Sequence, residues 1–169
     1  MFNRIISFLF GGVRRGMFDN CKLSGEINLL LKDKNGKVKL NRTIKNTITD
    51  AGKAALAGLL LLDVSGTAFD YIAIGVGSPS ATALGSESTT NGGTRRGGAD
   101  VVGTRVTTTV ANDTAQFVTT FTFTGALAIT EEGIFQVSTG SIMLASQSFA
   151  AVNVGDGDIL QITHKVKVA

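Results

Sequence analysis

One histidine, one cysteine, one tyrosine, one proline and no tryptophan occur in the 169 residues of this chain, and each scarcity excludes something. With Cys21 alone there is no internal disulfide, which fits a reducing compartment. His164 has no second imidazole beside it, and metal sites need several His, Cys or carboxylate ligands converging. Carbohydrate-binding modules want exposed aromatics, and one Tyr without any Trp supplies them poorly. Charged residues make up 17% of the chain and the net charge is +3, so a pI near 9.2 is not by itself a nucleic-acid footprint. No apolar run approaches the ~20 residues of a membrane-spanning helix; Ala54 to Leu62 is less than half of that. The expectation is a protein with no cofactor or metal and no nucleic-acid or membrane partner, working by shape and contact rather than by catalysis.

What is present is β chemistry. Hydrophobic residues make up 43% of the chain, enough for one domain to bury a core without disulfides or metals. Between Thr104 and Thr124 two alternating runs flank an Asn112-Asp113 break, with Phe117, Phe121 and Phe123 on one parity and Val118, Thr120, Thr122 and Thr124 on the other. Asn35-Gly36 between two alternating runs marks a second hairpin, with strands at about 23–32 and 37–46. Thr49 or Asp50 caps a helix over about 50–61, with Ala51, Ala54, Ala55, Gly58 and Leu59 as a small-residue face against a sheet. Phe69 to Val76 reads as a buried strand, and further strands fall at about 104–111, 116–124, 133–138, 142–150 and 158–168. The expected fold is mainly β, an antiparallel β-sandwich or barrel with one short helix and an N-terminal apolar arm. The expected organisation is an attachment arm at 1–20 and a single β domain at 21–169. A long loop at about 77–103, rich in Gly, Ser and Thr, carries the lone Pro79 and the Arg95-Arg96 pair as loop contacts.

The arm holds Phe2, Ile5, Ile6, Phe8, Leu9 and Phe10 between Arg4 and Arg14-Arg15. Its apolar run is interrupted by Ser7 and followed by arginines where a signal-peptide cleavage site would need small residues, which argues against a secretory leader. Burying those six side chains is worth roughly 10 kcal/mol at about 1.5–3 kcal/mol each. Such a segment needs a partner: its own domain, a neighbouring subunit or a membrane surface.

Candidate chemistry is sparse. His164 shares its parity with Leu160, Ile162, Val166 and Val168, so it reads as a core-edge or interface histidine. Glu131-Glu132 read as solubilising charges at a turn before Gly133, since adjacent side chains in extended chain diverge and make a poor catalytic pair. Gly155-Asp156-Gly157-Asp158 is a fragment of a calcium loop without the regular acidic ladder or terminal Glu. Gly75-Val76-Gly77 follows a strand, yet Ser78-Pro79 stands where a phosphate-binding helix should open. No Gly-x-Ser-x-Gly elbow is present.

An ordered series runs through 46–150: Asn46-Thr47-Ile48-Thr49-Asp50-Ala51-Gly52-Lys53, Tyr71-Ile72-Ala73-Ile74-Gly75-Val76-Gly77, Ala83-Leu84-Gly85-Ser86-Glu87 with Arg95-Arg96, Ile129-Thr130-Glu131-Glu132-Gly133-Ile134-Phe135, and Met143-Leu144-Ala145. It resembles small virion proteins of tailed bacteriophages, and is similar in particular to the amino-terminal domain of phage tail-collar fibre proteins. There a TNAG helix start, an IAVGDG strand, an LxxE loop and an EIGLF strand follow in that order. In such fibres the domain precedes a long shaft, whereas this chain ends at Ala169 and starts with its own apolar arm. The resemblance therefore implies a non-enzymatic virion protein made in the host cytoplasm. It is expected as a capsid decoration protein bound to the major capsid protein as a homo-oligomer, with a trimer favoured. The alternative is a tail, collar, fibre or baseplate component. The family supplies no catalytic residues.

Overall fold

The computed structural model describes residues 22–61, 68–140 and 142–168; the arm at 1–20 and Cys21 lie outside them. The first hairpin pairs β1 (Leu23–Lys32) with β2 (Val38–Lys45). Its turn closes because Gly36 adopts φ +82° and the Asp33 carboxylate accepts the N–H groups of Asn35 and Lys37, each at 2.9 Å. A two-residue strand, β3 (Thr47–Ile48), leads into α1 (Asp50–Leu61). Thr49 is the N-cap: its Oγ1 accepts the Gly52 N–H at 2.9 Å and donates to the Met143 carbonyl, tying the helix start to a strand. The buried helix face is Gly52, Ala55 and Gly58, while Ala54 is exposed, so the packed stripe is rotated from the expected one. Gly52 sets that rotation, because a Cβ there would lie 2.3 Å from the Leu144 carbonyl oxygen.

The remaining elements are β4 (Tyr71–Gly75), β5 (Arg96–Gly97), a 3-10 turn at Gly98–Asp100, β6 (Val101–Val106), β7 (Thr114–Thr122), β8 (Leu127–Phe135), β9 (Met143–Val154) and β10 (Ile159–Val168). They form two antiparallel five-stranded sheets. Sheet A has the order β2-β1-β10-β7-β6 and sheet B the order β3-β9-β8-β4-β5. The fold is thus the sandwich and not the barrel. Between the sheets Ile27, Leu29, Leu31, Phe121, Leu160 and Ile162 of sheet A meet Ile72, Ile74, Ile129, Ile134 and Val152 of sheet B, with Phe123 stacked 6.4 Å from Phe121. Phe121 and Phe123 are fully buried and Phe117 packs on the rim of the same core, while Thr120, Thr122 and Thr124 are exposed, as their alternation requires.

Several boundaries differ from the sequence reading; the strand expected at 142–150, for one, extends to Val154. The strand expected at 104–111 runs instead from Val101 to Val106, because 107–113 is a turn built on Asp113. The Asp113 carboxylate accepts the N–H groups of Val110 at 3.0 Å and of Thr108 and Thr109 at 2.9 Å each. Those N–H groups, Val110 foremost, hold its carboxyl well below the usual carboxylate range. The resulting stabilisation is fully present above the unfolded carboxylate value of about 4 and fades as pH falls towards the lower folded value. The strand expected at 133–138 starts at Leu127 and carries Glu131 and Glu132 in its interior rather than at a turn. The excursion expected at 77–103 is shorter, since Arg96–Gly97 pair with β4 and Val101 opens β6.

Candidate functional site

Sheet B is covered on its inner face and, around β4 and the adjoining end of β8, on its outer face as well. The outer roof is the segment from Gly77 to Arg95, which packs Leu84 with Tyr71 against a second small core of Ala73, Phe135 and Met143. The fastener is Glu131, fully buried. Its carboxylate accepts the N–H groups of Ser86 at 2.7 Å, Gly85 at 2.8 Å and Gly77 at 3.1 Å. Close approach is possible because Gly75 has no side chain; a Cβ there would lie 2.3 Å from Glu131 Oε1. The Arg95 guanidinium adds a fork to Glu87 (2.9 and 2.6 Å), a bond to the Val137 carbonyl (2.7 Å) and a stacking contact 3.9 Å from the Phe135 centroid. Arg96 donates to the Gly92 carbonyl at 3.2 Å and lies 5.4 Å from the Phe121 ring. Both arginines of the expected loop contact are therefore turned inward and hold the roof down. Replacing Glu131 with Gln puts an amide N–H against backbone N–H donors. We predict a loss of about 1–3 kcal/mol with faster hydrogen exchange confined to Gly77, Gly85 and Ser86. Unchanged exchange there would remove Glu131 from this role.

Glu132 points the opposite way, into the sandwich. Its two carboxylate oxygens each lie 3.0 Å from His164 Nδ1, and both residues are fully buried. The carboxylate and this ring nitrogen are hydrogen-bond partners. Asn46 Nδ2 reaches the other ring nitrogen, Nε2, from the crossing between β2 and β3. The turn is admitted by Gly25, where a Cβ would lie 2.3 Å from Asn46 Oδ1. The solubilising role expected for Glu131-Glu132 is corrected: both are buried, on opposite faces of β8, each committed to an internal partner. The signal for this was the apolar company of the pair, Ile129, Gly133, Ile134 and Phe135, together with a histidine on an apolar strand face that required a polar mate. The β-bulge at Ile129/Glu131 hides which glutamate faces which side. Asp158, of the calcium-loop fragment, accepts the Gly155 N–H at 2.8 Å and the Lys39 ammonium at 2.5 Å. Its carboxyl is lowered, with the Lys39 bond as the main cause. Among the described residues no three metal-ligating side chains converge.

The outer face of sheet A is uncovered by any described element. Register alignment arranges it in rows: Asn41, Leu30, Gln161 and Thr120 form one, and Thr43, Asn28, Thr163, Val118 and Val102 the next. Neither row holds an ionisable group. Asn28 Nδ2 links them, donating to Asn41 Oδ1 at 2.9 Å and Thr43 Oγ1 at 3.0 Å. Charge lies at the two ends of the face: at one, Glu26 pairs with Lys165 at 3.0 Å beside Lys45 and Lys167, and at the other stands Lys32 beside Leu30 and Gln161. An uncharged centre of hydroxyls, amides and aliphatics with charges at its margin has the composition of a protein-docking surface, because uncharged groups are cheaper to desolvate. The described residues include no helix long and apolar enough to cross a membrane. No family model, no curated protein and no solved structure matches this chain.

Proposed function

We propose that this chain is a non-enzymatic virion structural protein of a tailed bacteriophage, docking through the open face of sheet A onto a protein lattice. The preferred role is a capsid decoration protein held by the major capsid protein. The observation that carries the docking role is the pair of uncharged rows across β2, β1, β10, β7 and β6, the one broad sheet face that no described element covers. The virion assignment draws on the ordered resemblance along 46–150. The non-enzymatic character draws support from Glu131, Glu132 and His164, whose reactive atoms are buried and bonded internally. The apolar arm, with Phe2, Ile5, Ile6, Phe8, Leu9 and Phe10, is a second grip on a neighbour in this reading. A tail, collar, fibre or baseplate position is the competing role, favoured by the tail-collar resemblance.

Deleting residues 1–18 leaves a folded, more soluble protein that no longer binds particles. Unchanged occupancy of the truncated protein removes the arm from attachment. Copy number per particle separates the two roles: roughly hundreds for a shell and about six or twelve for a tail. Absence of the protein from purified particles overturns the virion assignment itself.

A further inference from the structure

The open face of sheet A ends against the 107–113 turn, which rises beside it. Thr114 belongs to that face by alternation yet is buried, with its hydroxyl 3.0 Å from that of Thr108. Lys167, opposite Thr114 in the register, reaches Thr109 Oγ1 at 2.5 Å. The turn thereby walls a pocket of about 320 Å³, lined among others by Glu26, Lys45, Thr108, Lys165 and Lys167. Three ammonium groups meet one carboxylate there. Glu26 stands between Lys45 of β2 and Lys165 of β10 and bonds the latter at 3.0 Å. The Lys167 partner is a hydroxyl without charge, and Lys45 has no hydrogen bond or ion pair among the described residues. Asp113 lies within the wall, its carboxylate already accepting three backbone N–H groups. The pocket is left positive.

We propose that this pocket receives a carboxylate side chain of a different protein that covers the open face, one uncharged at the centre of its contact surface and acidic at the margin. Charge complementarity selects that occupant. A second copy offers no free acid through the same face, because Glu26 is the only acidic residue its strands place there and it is engaged. Either two-fold stacking of two such faces sets lysine against lysine, pocket on pocket or pocket on Lys32. Lys32 lies about 20 Å from Glu26 along β1 at about 3.3 Å per residue, and the two rows between them hold no ionisable group. A nucleic acid repeats its phosphates over such a span and would lay them on uncharged rows. The acidic partner presupposes the docking role of this face and not its virion setting.

Hexaglutamate is the probe for the isolated full chain. Its titration into the isotope-labelled protein should move the amide resonances of Gly25, Lys45, Lys165 and Lys167, leave those of Gly77 and Ser86 in place, and weaken with added salt. Lys45→Gln combined with Lys167→Gln should weaken this binding at least about threefold, with circular-dichroism melts reporting whether the fold is intact. A short single-stranded DNA bound as tightly at the same amides, shifts indifferent to salt and to the lysine replacements, or self-association of the parent through this face overturns the proposal. Particle binding separates the two levels of the reading. Losses in both Thr120→Ala and the double lysine variant support the acidic partner. A loss in Thr120→Ala alone keeps the docking face and overturns the carboxylate site, while binding that ignores both variants overturns docking through this face and the site with it.

Discussion

Glu132→Leu alone, and His164→Leu alone, are each expected to destabilise the folded protein by about 3–5 kcal/mol, while the double replacement recovers most of that loss. The two side chains come from different sheets, β8 and β10, and meet with no exposure to solvent. Removing one strands the other in an apolar core without its hydrogen-bond partner, and that desolvation penalty is the main part of the effect. Removing both leaves two aliphatic groups of comparable bulk, leaving Asn46 as the remaining polar group there. Urea unfolding of the two single variants and the double variant forms a thermodynamic cycle, and losses that simply add would show that the pair is not coupled. The pair also sets how the sheets sit, since a slip of either strand by one residue carries its partner to the opposite face. Glu132→Gln tests this more gently: an amide can both donate and accept, so the contact to Nδ1 is retained and a loss near about 1 kcal/mol is expected.

Phe121→Ala is expected to lower stability by about 3–5 kcal/mol through the cavity it opens. The ring is fully buried, stacks with Phe123 and lies under the Arg96 guanidinium, so several neighbours lose contact at once. Thr120→Ala and Thr122→Ala, next to it in sequence but exposed on the open face, should change the stability of the isolated protein by less than about 0.5 kcal/mol. Thr120 belongs to an uncharged row, so its replacement should instead weaken particle binding. Denaturant midpoints and particle-binding isotherms measured on the same three variants separate the two effects. Similar stability losses in all three would contradict the assignment of faces.

Local rules made much of this architecture legible before any coordinates. Asn35-Gly36 signals a hairpin because glycine adopts the positive φ of such a turn without steric cost, and β1 and β2 formed on either side of it. Thr49 became a cap because a hydroxyl at that point satisfies a helix N–H that nothing else reaches. The Phe and Thr alternation fixed the two faces of β7, since strand side chains alternate whatever lies beyond them. Each of these depends on residues a few positions apart.

What only the tertiary structure decided depends on residues far apart. Glu131 and Glu132 carry the same charge in the same strand, and nothing local shows that one closes the 77–86 backbone while the other meets His164 across the core. A buried charge is tolerated only where donors converge on it, and those donors lie 45 and 32 residues away. Arg95 is likewise an exposed loop cation until Glu87, Val137 and Phe135 are brought around it. The mainly β character and the helix start followed from period and capping. The choice of sandwich over barrel, and of which face stays open, followed from long-range pairing of β1 with β10 and of β8 with β9, because burial is settled by what the folded chain places opposite each side chain.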